Sequence, residues 1–106
     1  MDHIIRFNKD TASQYYYSDK ENSGIEWAYN HDFISNMMKT AEMILRSKGY
    51  LYLRDLYEKL GINALAVSPI LGWDEKQHPK FKYKIVECKD IYEIQIIVNP
   101  KELKNE

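Results

Sequence analysis

The sequence predicts an α+β fold in which two helices pack on a small antiparallel sheet that ends in a β-hairpin. Apolar residues recur at helical spacing through 30–48 and again through 53–60, which predicts the two helices. Residues 81–86 and 92–98 alternate apolar and polar side chains, which predicts the two strands of the hairpin. With 106 residues, the chain has the usual length of one domain, so we expect a single domain over 1–106.

The N-terminal part combines a short strand with a polar segment. Residues 3–7 are expected to form an edge strand, and 8–24 a polar loop or arm interrupted by three consecutive tyrosines. Asn30 is positioned to cap the first helix, and Gly49 to end it. The helix should bury one apolar stripe, made of Phe33, Met37, Ala41, Ile44 and Leu45.

The central part is a short extended segment and a second helix. Residues 50–53 are apolar and should be extended, and Gly61 should close the helix that follows. Residues 62–73 allow two interpretations, a turn that begins at Ser68-Pro69 or a strand over 70–73. A polar loop is expected from Asp74 to Lys80.

The predicted hairpin has a defined register. A two-residue turn at Lys89-Asp90 places Phe81 opposite Val98, Tyr83 opposite Ile96 and Ile85 opposite Ile94, all on one face. These turn residues are not the favoured Asn-Gly type, so a longer loop is the alternative. Outward-facing positions, Gln95 among them, should contribute little to stability. Pro100 should end the strand, leaving 101–106 as a charged tail.

Composition excludes several classes of protein. The net charge is −1, with six basic and seven acidic residues in the first half and nine of each in the second, so neither half has the basic excess of a nucleic-acid-binding surface. One cysteine excludes an intramolecular disulfide and favours a reducing compartment. No stretch resembles a signal peptide or a membrane span. We therefore expect a cytoplasmic protein with no membrane association.

Residues that carry chemistry are scattered. Cys88 has no histidine nearby in sequence, and the three histidines, His3, His31 and His78, lack the spacing of metal ligands. Asp55 and Glu58 share a helix face with flanking cations, as on a solvated surface. Phosphate-binding loops and nucleophile elbows are missing. The sequence therefore predicts a protein that is not an enzyme and uses no metal or cofactor.

Five lysines surround the predicted hairpin and are the candidate contacts to a nucleic acid: Lys76, Lys80, Lys82, Lys84 and Lys89. Acidic residues between them reduce the positive field. Lysines on a strand edge also prevent strand-to-strand aggregation, which is the interpretation we favour.

Glycine, aromatic and acidic residues occur at a matched set of spacings in the segment Gly49-Tyr50-Leu51-Tyr52-Leu53-Arg54-Asp55-Leu56-Tyr57-Glu58-Lys59-Leu60-Gly61, which is followed by Leu71-Gly72-Trp73-Asp74. It resembles a family of short uncharacterised proteins of tailed phages and prophages of low-GC bacteria. The resemblance covers residues 30–98, with Arg54 where such proteins often carry asparagine. It implies a genomic setting and no known activity.

Three functional hypotheses follow. The first is a phage or mobile-element accessory protein that binds another protein, for example as an inhibitor of a host defence complex such as an anti-CRISPR protein. Its predicted contacts are Tyr15, Tyr16, Tyr17 and Trp27, because exposed aromatic rings dominate protein interfaces. The second is a winged-helix DNA-binding module with 62–73 as its recognition helix, although that segment lacks side chains that read bases. The third is a virion or assembly component.

Overall fold

The structure, a computed structural model, describes residues 2–11, 23–76 and 80–103, with the side chains of the first helix described from residue 31 onward. That part of the chain forms two α-helices and six strands. The helices are α1 (Ser23–Lys48) and α2 (Leu53–Lys59). The strands are β1 (His3–Phe7), β2 (Tyr50–Tyr52), β3 (Leu71–Asp74), β4 (Tyr83–Cys88), β5 (Glu93–Val98) and β6 (Lys101–Glu102). The predicted α+β class is confirmed.

Among the described residues, the strands form two antiparallel sheets rather than the one that was predicted. The first sheet has the strand order β1-β5-β4, and the second has the order β2-β3-β6. The first confirms β1 as an edge strand. In the second sheet β3 pairs with β2, and Lys101 and Glu102, predicted to lie in a charged tail, pair instead with Gly72 and Leu71 of β3.

Helix α1 begins earlier than predicted. Its first residue is Ser23, so Asn30 lies inside the helix and does not cap it, and residues 23–24 do not belong to the arm. Residues 8–11 of that predicted arm form the turn after β1, and residues 12–22 lie outside the described residues. Ser23 and Glu26 have the spacing of a capping box, a sequence signal for the earlier start.

The buried stripe of α1 is also rotated by one position from the predicted one. Its members are Ile34, Met38, Ala41 and Leu45. Phe33, Met37 and Ile44 lie on its flank, where they are only partly buried against the core. The apolar residues of α1 form two adjacent rows, and packing decides which of them faces the core.

Glycines end both helices, as predicted. The N–H of Gly61 donates to the carbonyl of Glu58 at 3.0 Å, and the N–H of Ile62 donates to the carbonyl of Tyr57 at 2.9 Å. These two bonds form a Schellman motif, with Gly61 at φ +72°. Gly49 has φ +85° directly after α1.

Residues 62–70 contain no α-helix, and the next element is strand β3. The strand interpretation of this segment is therefore confirmed with its bounds shifted by one residue. The winged-helix alternative is wrong, because its recognition helix would have to occupy 62–73. Pro69 is incompatible with a helix interior. The segment is also fixed in a non-helical conformation by Arg54, whose Nε donates to the carbonyl of Val67 at 2.6 Å.

The hairpin forms with a register two residues away from the predicted one. Tyr83 lies opposite Val98 and Ile85 lies opposite Ile96. The two-residue turn is wrong, since a 3₁₀ turn over Lys89–Ile91 is followed by Tyr92 in a left-handed conformation before β5 begins. A shift of two residues keeps the same side chains on the same face, so the inward face was predicted correctly with the wrong partners.

Both sheets share one hydrophobic core with the two helices. Gly72 lets β3 approach β2, because a Cβ at this position would overlap the carbonyl oxygen of Leu51 and lie 2.9 Å from Cα of Tyr52. Trp73, fully buried, donates from Nε1 to Oδ1 of Asn99 at 2.9 Å. The Gly-Trp pair therefore fixes the second sheet to the core. Neither described helix is long and apolar enough to cross a membrane.

Candidate functional site at the hairpin tip

The loop between β4 and β5 exposes two large apolar side chains. Ile91 is 59% exposed and Tyr92 is 40% exposed. Tyr92 has φ 51°, which is rare for a residue with a bulky side chain and costs about 1–2 kcal/mol. We call Ile91 and Tyr92 the hairpin tip. Non-glycine residues held in this conformation are concentrated at functional sites, where the surrounding structure maintains the strain.

The residue after Tyr92 supplies such a restraint. Glu93 is only 4% exposed, although it lies on the outward side of the first sheet. Its Oε2 accepts from Nη1 of Arg6 at 2.7 Å and from Nε2 of Gln95 at 2.8 Å. Its Oε1 accepts from Nδ2 of Asn8 at 2.8 Å. The start of β5 is therefore fixed immediately beside the strained Tyr92. Gln95, expected to contribute little, is a partner of a buried charge.

The charge of Glu93 is stabilised by these neighbours. Burial by itself raises the pKa of the Glu93 carboxyl group. The hydrogen bonds from Gln95 and Asn8, together with the charge and hydrogen bond of Arg6, outweigh burial and lower the pKa below its ordinary value. Glu93 is therefore ionised at neutral pH and holds its three donors.

Asn8 connects this cluster to the turn after β1. Its Oδ1 accepts the N–H groups of Asp10 at 2.8 Å and Thr11 at 3.0 Å. The hydroxyl of Thr11 donates to the carbonyl of Arg6 at 2.6 Å. One network of hydrogen bonds therefore connects the end of β1, the turn after it and the start of β5. This network restrains the backbone next to the hairpin tip.

The outward face of the first sheet extends from the same network. The register places Ile4, Ile97 and Lys84 in one cross-strand row. The core lies on the opposite face, and Ile4 is 45% exposed. The hairpin tip therefore lies at one end of a surface that mixes apolar and charged side chains.

His3 and Tyr57 form a second polar contact at the start of β1. His3 Nε2 lies 2.7 Å from the Tyr57 hydroxyl, and the rings meet edge to face with centroids 6.0 Å apart. Burial lowers the pKa of His3 and raises the pKa of Tyr57. Both neutral forms are favoured, as in a structural hydrogen bond between β1 and α2.

The predicted protein contacts belong to other parts of the chain than the hairpin tip. Tyr15, Tyr16 and Tyr17 lie outside the described residues. Trp27 belongs to α1, but the side chains of that helix are described only from residue 31 onward.

The predicted nucleic-acid contacts are all exposed and belong to different elements: Lys76 after β3, Lys80 and Lys82 before β4, Lys84 in β4, and Lys89 in the 3₁₀ turn. Asn99 fixes the segment before β4 by donating to the carbonyl of Lys80 at 2.7 Å and accepting from the N–H of Lys82 at 3.0 Å. That segment is therefore ordered by the core.

The other reactive side chains stay apart. Cys88 is partly buried and lies opposite Glu93, and His78 is outside the described residues. Asp55 and Glu58 are exposed on α2. Within 2–11, 31–76 and 80–103, no three histidine, cysteine or acidic side chains are grouped as metal ligands.

Sequence reasoning missed both Tyr92 and Glu93 as site residues. Alternation assigned Tyr92 to the inward face of a strand and Glu93 to an exposed position. Two partners of Glu93, Arg6 and Asn8, come from β1 and the turn after it, far away in sequence, so no local pattern marks the cluster.

Comparison with known proteins finds one match, to the model of a protein family. No curated protein and no solved structure matches the chain. The model of a protein family matches residues 3–100, which include β1, the hairpin and the network that joins them. The chain therefore belongs to the Family of unknown function (DUF6353).

Proposed function

We propose that this protein acts without catalysis, by binding another protein through the hairpin tip. The observation that carries the proposal is the strained Tyr92, exposed beside Ile91 and followed at once by the buried, triply bonded Glu93. A rigid aromatic ring loses little conformational entropy on binding, and such rings dominate interface energies. The network beneath the tip supplies that rigidity.

The resemblance to phage and prophage proteins supports one concrete form of this activity, an inhibitor of a host defence complex such as an anti-CRISPR protein. Tyr15, Tyr16, Tyr17 and Trp27 stay predicted contacts of the same partner. The chain combines a rigid hairpin tip with an aromatic segment elsewhere. Two such contact regions suit a protein that inhibits a larger complex by binding to its surface.

Site-specific photo-crosslinking in the natural host tests the proposal. A photoreactive phenylalanine analogue replaces Ile91 in one variant and Leu65 in a matched control. Leu65 is also apolar and is 83% exposed, but it lies in the loop after α2. We expect a discrete crosslinked protein from position 91 and none from position 65. Equal crosslinking from both positions, or none from either, contradicts the proposal.

A further inference from the structure

A second surface lies between α1 and α2 and shares no residue with the hairpin tip. Two adjoining hollows of about 420 and 340 Å³ both include Ile44 and Lys48. Met43 at their edge is 68% exposed, and Tyr50 is 47% exposed. We call this surface the α1–α2 groove.

The α1 wall of the groove has the spacing of a helix–helix contact. Thr40, Met43, Ile44 and Ser47 lie at i, i+3, i+4 and i+7, next to the stripe that α1 buries in the core. This spacing forms a continuous row along one side of a helix. Methionine adapts its shape to a partner, so Met43 and Ile44 in this row can pack against apolar side chains of another molecule.

The charges that line the groove are balanced. Lys48 and Lys59 carry two positive charges, and Asp55 and Glu58 carry two negative charges. All four side chains are exposed, and among the described residues none of the four forms an ion pair. Each charge is therefore available to an opposite charge on another molecule.

A second copy of the chain fits this distribution. A two-fold axis brings the same patch onto itself, and because this patch carries two positive and two negative charges, two copies meet without a net repulsion and can pair cations with anions. A strongly acidic or basic partner would leave two of the four charges opposed. We propose that the α1–α2 groove is a self-association surface through which two copies of this protein form a symmetric dimer.

Charge reversal distinguishes contacts between copies from contacts within one copy. The first variant carries Lys48→Glu and Lys59→Glu, and the second carries Asp55→Lys and Glu58→Lys. Each variant alone opposes like charges across the two-fold axis, whereas a mixture of the two restores opposite charges. All four positions are exposed, so far-ultraviolet circular dichroism should match that of the wild type.

Sedimentation equilibrium at about 10–200 μM protein provides the measurement. We expect the wild type to approach twice its monomer mass of 12.7 kDa, each variant alone to stay at the monomer mass, and their equimolar mixture to recover the doubled mass. Met43→Gln, a neutral change at an exposed position, should raise the dissociation constant at least about tenfold. A wild type that stays monomeric over this range, or a mixture that does, overturns the proposal. A monomeric wild type whose groove captures a different protein overturns it as well.

Discussion

Arg6 and Glu93 are 87 residues apart in sequence, and their side chains meet at 2.7 Å between Nη1 and Oε2. The pair is asymmetric, since the side chain of Arg6 is 56% exposed and that of Glu93 is 6% exposed. Solvent therefore screens Arg6, while the carboxylate depends on protein donors. The contact links the N-terminal strand to the last long strand of the sheet.

Removing the carboxylate should destabilise the fold. We expect Glu93→Ala to lower the free energy of unfolding by at least about 2 kcal/mol, because Asn8 and Gln95 then lose an acceptor that water replaces poorly. Urea denaturation followed by circular dichroism measures the change. Glu87→Ala, at an exposed position on β4, is the control and should stay within about 0.5 kcal/mol. Equal losses at both positions would show that the network contributes nothing to stability.

Stability should fall on acidification. The pKa of Glu93 is lowered in the folded state, so its contribution is present above the unfolded pKa of about 4.3 and is lost as the pH falls through the folded pKa. Glu93→Gln should therefore be less stable than the wild type at pH 7, and the gap should narrow between about pH 5 and pH 3. Urea midpoints across this range provide the test, and a constant gap would rule out the assigned charge.

The close approach of β3 to β2 at Gly72 predicts that substitution by alanine lowers stability more at Gly72 than at Gly49. Gly72→Ala should cost more than about 2 kcal/mol or prevent folding, because the new Cβ would collide with the backbone of β2. Gly49→Ala meets no atom within 4 Å and should cost only about 1–2 kcal/mol through its positive φ. Thermal denaturation of both variants provides the comparison, and the reverse order of stability would contradict the close approach of β3 to β2.

The lysines around the hairpin should not create a nucleic-acid-binding surface. We expect no binding to random duplex DNA at physiological salt, since the five lysines lie on several elements with acidic residues between them. Fluorescence anisotropy with a labelled duplex measures binding. Binding that is lost in a variant with Lys80, Lys82 and Lys84 changed to glutamine would overturn this prediction, and its affinity would fall steeply with salt.

Local sequence patterns were sufficient to predict most of the helices and strands, but they did not predict the candidate functional site. The alternation of 92–98 predicted which side chains of β5 face the core, and Gly49 and Gly61 predicted the helix ends. The predicted register failed because Lys89–Ile91 and Tyr92 form a longer connection, whose left-handed residue is not a glycine or asparagine. Glu93 was assigned to solvent because alternation reports the face of a sheet, whereas its burial depends on Arg6 and Asn8, which lie far away in sequence in β1 and in the turn after it.

The role of Tyr92 can be separated from its strain by one substitution. Asparagine tolerates the left-handed conformation, so Tyr92→Asn removes the ring while relieving the backbone. The affinity of the partner identified by crosslinking, measured by biolayer interferometry, tests the role of the hairpin tip directly. We predict that Tyr92→Asn weakens binding at least about tenfold with a change in unfolding free energy of no more than about 1 kcal/mol, while Leu65→Asn binds like the wild type. An unchanged affinity for a folded Tyr92→Asn variant would contradict the assignment of the hairpin tip as the binding site.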